Sequence, residues 1–316
     1  MPLLPTIRRR RGVAAALAVW AMAGLLAVGW IGWPRESARA GAQPPTAPSR
    51  CVGSPLVDAA SDPALQARPY RDEPAYAELG RPVGAPVGAV LLLHGGGFSN
   101  TGPAAAAFER PEARRWLARG WVVLNASYRP CGRAVQDAEW FYDRLAHDDP
   151  GLPLCISGSS VGGSLALHLA TTRPTSCVIS QSGIADPEAL PTQRITRPRE
   201  GEAVTGDALF GSMRVALGAD GLRDLIDRPT FARAPARMLL VEEANDWVVP
   251  GAQQSDGLAT RRAGGAGGRT RLVVLSGASD DVAFVHGPVS DGERARYERA
   301  EDELAAGLTG PPPPVG

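Results

Sequence analysis

No lysine occurs anywhere in the 316 residues; all 33 basic side chains are arginine. With 37 glycines, 29 prolines and abundant alanine beside it, that absence reads as codon usage and carries no functional weight. Missing too is any long charged block in the body of the chain. Six arginines and a single acid fall in the first forty residues, which leaves 27 basic against 32 acidic side chains in the remainder. A net negative body of that kind excludes a nucleic-acid binder. Histidine is scarce, at four. His94, His147 and His168 show no ligand spacing with acids or thiols, so no metal centre is expected. The cysteines are also four, Cys51, Cys131, Cys155 and Cys177. An even number suits one or two disulfides in an oxidising compartment. Cys51 with Cys131 is the expected pair, because neither lies in an apolar run. Cys155 and Cys177 sit in apolar, strand-like runs and read equally as small core residues or as a bridge.

What is present begins with Arg8 to Arg11 followed by Gly12 to Trp33 without a charge. Helix rises about 1.5 Å per residue, so this run reaches roughly 33 Å, enough to cross a bilayer core. The arginines before it hold that end in the cytoplasm, and Trp30 and Trp33 suit the far interface. Ala38-Arg39-Ala40 has the small-x-small form cut by signal peptidase. The expectation is an N-terminal anchor, with a cleaved signal as the alternative, and the rest of the chain outside the cytoplasm in either case. Residues 1–40 form this segment and 41–66 a linker rich in Pro, Ala, Ser, Arg and Gly. Residues 67–308 form one α/β domain, and 309–316 a proline-rich tail.

The domain is organised around Cys155-Ile156-Ser157-Gly158-Ser159-Ser160-Val161-Gly162-Gly163. Leu152, Leu154 and Ile156 alternate like a buried strand, and the spacing turns helical from Leu165, so Gly158 to Gly162 is the corner between them. A G-x-S-x-G nucleophile elbow belongs at such a corner, with Ser160 as the exposed serine.

Around it strand and helix alternate with short joints, which predicts a mainly parallel sheet flanked by helices. A hairpin is expected near Tyr70 to Arg81. The first clear strand is Ala89 to Leu93, followed at once by His94-Gly95-Gly96-Gly97. Then come a helix over Glu109 to Arg119, a strand over Trp121 to Leu124, and a helix over Ala134 to His147 burying Trp140, Leu145 and Ala146. Strands follow at Cys177 to Ile179, Met238 to Val241 and Arg271 to Leu275. Between them, 183–236 loses regularity apart from a helical pair at Asp207 to Leu217 and Leu222 to Ile226, and reads as a small cap. Gly264 to Gly268 is a turn rather than a phosphate loop, since no helix follows it. Asp291 is expected to cap a last helix reaching Leu308.

Four pieces in order carry a resemblance: His94 to Gly97 after a buried strand, Ser160 in the corner with Gly163, Asp246 in Asn245-Asp246-Trp247-Val248-Val249-Pro250 after a strand, and His286 after the last strand. Together they resemble the α/β-hydrolase family, most closely its esterase and lipase branch with an HGGG motif. Tyr128-Arg129 and Asp137 also look like that branch. Its members usually carry Asp-Ser-Ala inside the elbow, where this chain has Ser159 and Val161 around the serine.

The resemblance implies roles that chemistry explains. A serine hydroxyl needs a base, and imidazole titrates near neutrality. His94 belongs to the glycine motif and His147 and His168 fall in helices, so His286 is the expected base. Asp246 is the expected acid that orients it, with Glu242 and Glu243 as runners-up, while Asp280 and Asp281 come too late in the order. The N–H groups of Gly96, Gly97 and Val161 are the expected oxyanion donors. No cofactor is needed, because such a triad generates its own nucleophile. The expected substrate is a small carboxylic ester, the cap offering only Phe210, Met213, Leu217 and Leu222 to line a trough. Alternatives are a peptidase or acyltransferase on the same triad, or a non-catalytic binding protein.

Overall fold

A computed structural model describes residues 54–55, 61–69, 75–98, 100–130, 132–196, 203–205, 211–276 and 286–309. The apolar run at 12–33, the 38–40 cleavage site, Cys51, Cys131, Phe210, Asp280, Asp281 and the tail beyond 309 lie outside the described residues.

Eight strands form one sheet: β1 (Gln66–Pro69), β2 (Tyr76–Gly80), β3 (Gly88–Leu93), β4 (Trp121–Ser127), β5 (Leu154–Ser159), β6 (Cys177–Gln181), β7 (Arg237–Glu243) and β8 (Thr270–Leu275). Their spatial order is β1-β2-β4-β3-β5-β6-β7-β8. The β1/β2 and β2/β4 pairs are antiparallel and all later neighbours parallel. All six residues of β3 and all seven of β4 are buried. Strands covered on both faces read as near-continuous apolar runs; β3 does so throughout and β4 over Trp121 to Leu124, while its buried Asn125 and Ser127 bond Glu78 and His94.

Alternation along the strands divides the interior into two cores. Leu91, Leu93, Ile156, Val178 and Leu240 face α3 (Arg133–Asp148), α4 (Val161–Thr172) and α7 (Ala252–Ala263), while Val90, Leu92, Ile179, Leu239 and Val241 face α2 (Arg110–Ala118) and α8 (Asp291–Thr309). Each fully buried leucine contributes about 1.5–3 kcal/mol relative to exposure. Before them in the chain comes α1 (Pro103–Ala107), and between α4 and α7 lie α5 (Gly211–Arg223) and α6 (Arg228–Arg233).

Several expectations need correction. The hairpin is present, but its first arm is Gln66–Pro69; Leu65 is buried and Ser54–Pro55 pairs in parallel with Asn100–Thr101, so described secondary structure lies within the stretch read as linker. Proline and alanine richness hid it. The α3 helix turns Trp140 outward, 42% exposed, and buries Ala134, Ala138, Phe141, Tyr142 and Leu145. Ser290, and not Asp291, caps α8: its hydroxyl accepts the Glu293 N–H at 3.2 Å, while the Glu293 carboxylate accepts the Val289 N–H at 3.0 Å. The arrangement is close to a capping box, with the Glu293 carboxylate reaching the N–H one residue before the cap. In the 183–236 segment a small antiparallel pair, Arg194–Thr196 with Ala203–Thr205, precedes α5, and α5 runs through a kink at Gly218 up to Arg223. The Gly264 to Gly268 stretch is a turn, as expected, and leads through a short 3-10 segment straight into β8.

Cys155 and Cys177 stand opposite each other on neighbouring strands β5 and β6 and form a disulfide, with Cα atoms 4.6 Å apart. Of the two readings of these residues, the bridge is the one observed.

Candidate active site

In the parallel part of the sheet all strands point the same way, so the ends of β3, β5, β6 and β7 share one edge. At that edge β3 leads into His94 to Gly97, β5 into Ser160 and β7 into Asp246. Ser160 occupies the corner between β5 and α4, 9% exposed, with φ 54° and ψ −122°. A non-glycine residue there costs on the order of 1–3 kcal/mol and persists only when its surroundings over-determine it. They do so here: the Ser160 N–H donates to the Gln181 carbonyl at 2.8 Å, and the Ser160 carbonyl accepts the Ser164 N–H at 3.1 Å. A Cβ at Gly162 would stand 2.0 Å from the Leu93 carbonyl oxygen. The corner therefore fits against the end of β3 only with glycine at that place.

The His94 to Gly97 loop lies directly against this corner. A Cβ on Gly95 would be 3.2 Å from the Ser160 Cβ, and Gly96 and Gly97 adopt φ 111° and 63°. His94 is fixed behind the loop, stacked on Tyr128 with ring centroids 4.4 Å apart. Its Nδ1 donates to the Gly95 carbonyl at 2.6 Å, so its Nε2 accepts from the Ser127 hydroxyl at 3.1 Å. Burial pushes its pKa down to about 4, against the Gly95 hydrogen bond, and keeps the ring neutral. The Tyr128 hydroxyl donates to the His94 carbonyl at 2.6 Å, and Arg129 pairs with the buried Asp137 at 2.6 Å. Val161 opens α4, where a first-turn N–H has no intrahelical acceptor.

His286 and Asp246 are brought together. The His286 Nδ1 lies 2.9 Å from Oδ2 and 3.1 Å from Oδ1 of Asp246. Oδ1 of Asp246 also accepts the N–H groups of Val248 and Val249 at 2.7 and 2.9 Å, which locks the carboxylate. The acceptor-only carboxylate assigns the imidazole proton to Nδ1. Burial acts to lower the His286 pKa, but the Asp246 charge and hydrogen bond, with the Glu243 charge, overcome it and raise the pKa above the ordinary value. Gln181 links this pair to the serine: its carbonyl holds the Ser160 N–H, and a Cβ on Gly287 would be 3.2 Å from its Nε2.

The other carboxylates of β7 take their hydrogen bonds from other residues. Glu242 accepts from Ser255 at 2.5 Å, and Glu243 accepts from the Ser182 hydroxyl. His147 is exposed beside Asp148, and His168 bonds the Leu225 carbonyl and Glu139. Two groups at the edge escaped sequence reading. Glu109, at the start of α2, accepts from the Ser159 hydroxyl at 2.9 Å, and burial pushes its pKa up to about 7. Ser182 has φ 48°. Neither belongs to a motif; Glu109 lies 50 residues before its partner. Among the described residues no group of His, Cys, Asp and Glu could hold a metal ion.

No protein family matches the sequence, and no curated protein does. Solved structures do match by shape. An esterase of Pyrobaculum calidifontis aligns with a TM-score of 0.57 at 19% identity, over 96% of this chain and 95% of that one. A thermostable carboxyl esterase from Bacillus coagulans in complex with glycerol gives 0.59 at 13%, over 78% and 99%. The butyrate-bound esterase Est2 of Thermogutta terrifontis gives 0.56 at 19%, over 80% and 97%. At these identities the likeness is one of fold, and the fold is that of the α/β-hydrolases.

Proposed function

We propose that the chain is a serine hydrolase of small carboxylic esters. The observation that carries this reading is the His286–Asp246 pair, set at the sheet edge beside the strained Ser160 corner. In the proposed reaction Ser160 Oγ attacks the ester carbonyl carbon while its proton passes to Nε2 of His286. The carbonyl π electrons move to oxygen, where N–H groups of Gly96, Gly97 and Val161 would receive the charge. Collapse breaks the bond to the alcohol, which leaves with the proton from His286, and water then repeats the sequence on the acyl-enzyme. Asp246 keeps the imidazole in the required tautomer and stabilises its charged form.

The residues of 183–236 would cover the site. Met213 and Leu222 are buried in the core, with Leu217 packed against it, so they leave little apolar surface for a long chain. A lipase gains about 0.8 kcal/mol per buried methylene and needs that surface. The butyrate held by the Thermogutta esterase is an acyl group of the size this favours.

The reading places the domain outside the cytoplasm, behind an anchor at 12–33. The apolar run and the preceding arginines support it, as does the Cys155–Cys177 disulfide, a bond at home in an oxidising compartment. A mature protein recovered soluble with its N-terminus at Gly41 would overturn the anchor.

The test is a p-nitrophenyl ester series from acetate to palmitate, with fluorophosphonate labelling of wild type and Ser160→Ala. Turnover highest on the short esters, and label lost with Ser160, are expected. Rates rising toward palmitate would reject the substrate size; no turnover of any ester by the intact chain would favour a binding protein.

A further inference from the structure

We propose that Glu243 is a positioning residue for His286: a second buried carboxylate, held by Ser182 and Gln181, that shares with Asp246 the charge of the imidazolium formed during turnover. The inference rests on the hydrolase reading for its role in turnover, and for its place near His286 on the Gln181 amide, which reaches both Glu243 and the Gly287 backbone, and on the charge interaction between Glu243 and the ring.

Glu243 closes β7 and is 1% exposed. Its carbonyl accepts the Asp246 N–H at 3.1 Å and so shapes the turn that carries the acid. Its side chain meets two donors from the end of β6, the Ser182 hydroxyl and, at 3.5 Å, Nε2 of Gln181. Ser182 is one of three non-glycine residues with positive φ among the described residues; the others are Ser160 and Phe98, in the nucleophile corner and beside the glycine loop. A strained backbone at this edge, held by the Ser182 N–H to the Val241 carbonyl at 2.9 Å, delivers a hydroxyl to a buried carboxylate. Gln181 contacts Glu243 with its amide, holds Ser160 with its carbonyl, and faces Gly287 beside the base. One residue thus joins nucleophile, second carboxylate and histidine loop.

Among the described residues, the charged groups acting on Glu243 are Asp246, from the turn after β7, and His286, from the segment before α8; the end of β6 contributes the neutral Gln181 and Ser182. The next carboxylate on β7, Glu242, is turned to Ser255 on α7. Burial pushes the Glu243 pKa up to about 7, with Ser182 opposing and Asp246 adding, while His286 pulls it down. Each group's charge therefore acts on the titration of the other, and the two are coupled. An ionised Glu243 raises the pKa of His286. Its removal lowers that pKa and leaves the base neutral to lower pH.

The experiment uses the full chain and Glu243→Gln, which keeps the size and an acceptor for Ser182. The acid limb of kcat/KM on p-nitrophenyl acetate is expected to move down by roughly 0.5–1 pH unit, with kcat reduced about tenfold and KM within about twofold. In a Ser160→Ala background, NMR titration of the His286 ring is expected to move the same way. That second readout does not depend on turnover. Ser182→Ala, which withdraws a donor from the ionised carboxylate, should shift the limb in the same direction by less, and serves if Glu243→Gln fails to fold. An unmoved acid limb and an unmoved His286 titration would make Glu243 merely structural and overturn the proposal, whatever happens to stability. If wild type hydrolyses no ester, the hydrolase reading falls separately, and the titration still decides whether Glu243 acts on His286.

Discussion

Two buried ionic clusters lie at different places in this sheet, and their charge ratios differ. On the β2/β4 side the Glu78 carboxylate receives Arg110 through Nη2 at 2.5 Å and Nε at 3.1 Å, with Asn125 at 3.0 Å and Tyr76 at 3.2 Å completing its shell. One guanidinium meets one carboxylate, and α2 is tied to β2 and β4. At the β6/β7 edge two carboxylates act on a single imidazole, Asp246 by hydrogen bond and Glu243 through its charge. A matched cluster holds elements together without changing state, whereas an excess of acid around one titratable ring keeps protons mobile near neutrality. The strain follows the same division: all three non-glycine residues with positive φ among the described residues, Phe98, Ser160 and Ser182, follow the ends of β3, β5 and β6.

That contrast can be broken most severely at Ser160. Ser160→Ala is expected to lower ester turnover by about 10⁶-fold and leave the melting temperature nearly unchanged. Substantial residual hydrolysis would remove the nucleophile from the unmatched cluster's edge. Asp246→Asn keeps the side chain's shape but not the acceptor-only oxygen pair, and kcat on p-nitrophenyl acetate should fall about 10⁴-fold. A loss of only a few-fold would mean that Glu243 can replace it.

Glu78→Gln tests the matched cluster, because it leaves the Arg110 guanidinium buried without its counter-charge. Such a change costs about 3–5 kcal/mol and should lower the melting temperature by roughly 10 °C, read by calorimetry. Activity per folded molecule should stay within about twofold. A loss of kcat at unchanged stability would erase the distinction between the two clusters.

The smallest effect belongs to Glu109, whose folded pKa is raised by burial from 4.5 to about 7. A group raised in this way contributes stability below its unfolded pKa, and that contribution disappears as pH climbs through the folded value. Glu109→Gln does not titrate. The variant should match wild type near pH 4 and exceed it by about 1–2 kcal/mol at pH 8, measured by urea unfolding. An advantage of the same size at both pH values would place the carboxyl in solvent instead.

Much of this architecture was legible because it depends on local pattern. Ala89 to Leu93 is apolar at every position, as a strand covered on both faces must be, and the strand-to-helix change around Ser160 announces a corner that only small residues can turn. The order of serine, acid and histidine follows from the fold the chain resembles. Local pattern misleads where the decisive neighbour is remote. Trp140 has the period of a buried residue, yet α3 is rotated so that Phe141 and Tyr142 take the core. Gln66 to Pro69 pairs with β2 although nothing in its composition says strand.

The sequence by itself determined the central strands, the corner and the short set of titratable residues from which a site could be assembled, because hydrophobic period and glycine placement act over a few residues. Choosing among those residues was left to the tertiary structure. Glu242, Glu243 and Asp246 lie within five positions, and only the turn after β7 aims Asp246 at His286 and leaves Glu243 to Ser182. Register likewise sets Cys155 against Cys177, and helix placement brings Glu109 to Ser159. Direction and pairing across dozens of residues are fixed by packing, whose forces act between surfaces that meet only once the chain has folded.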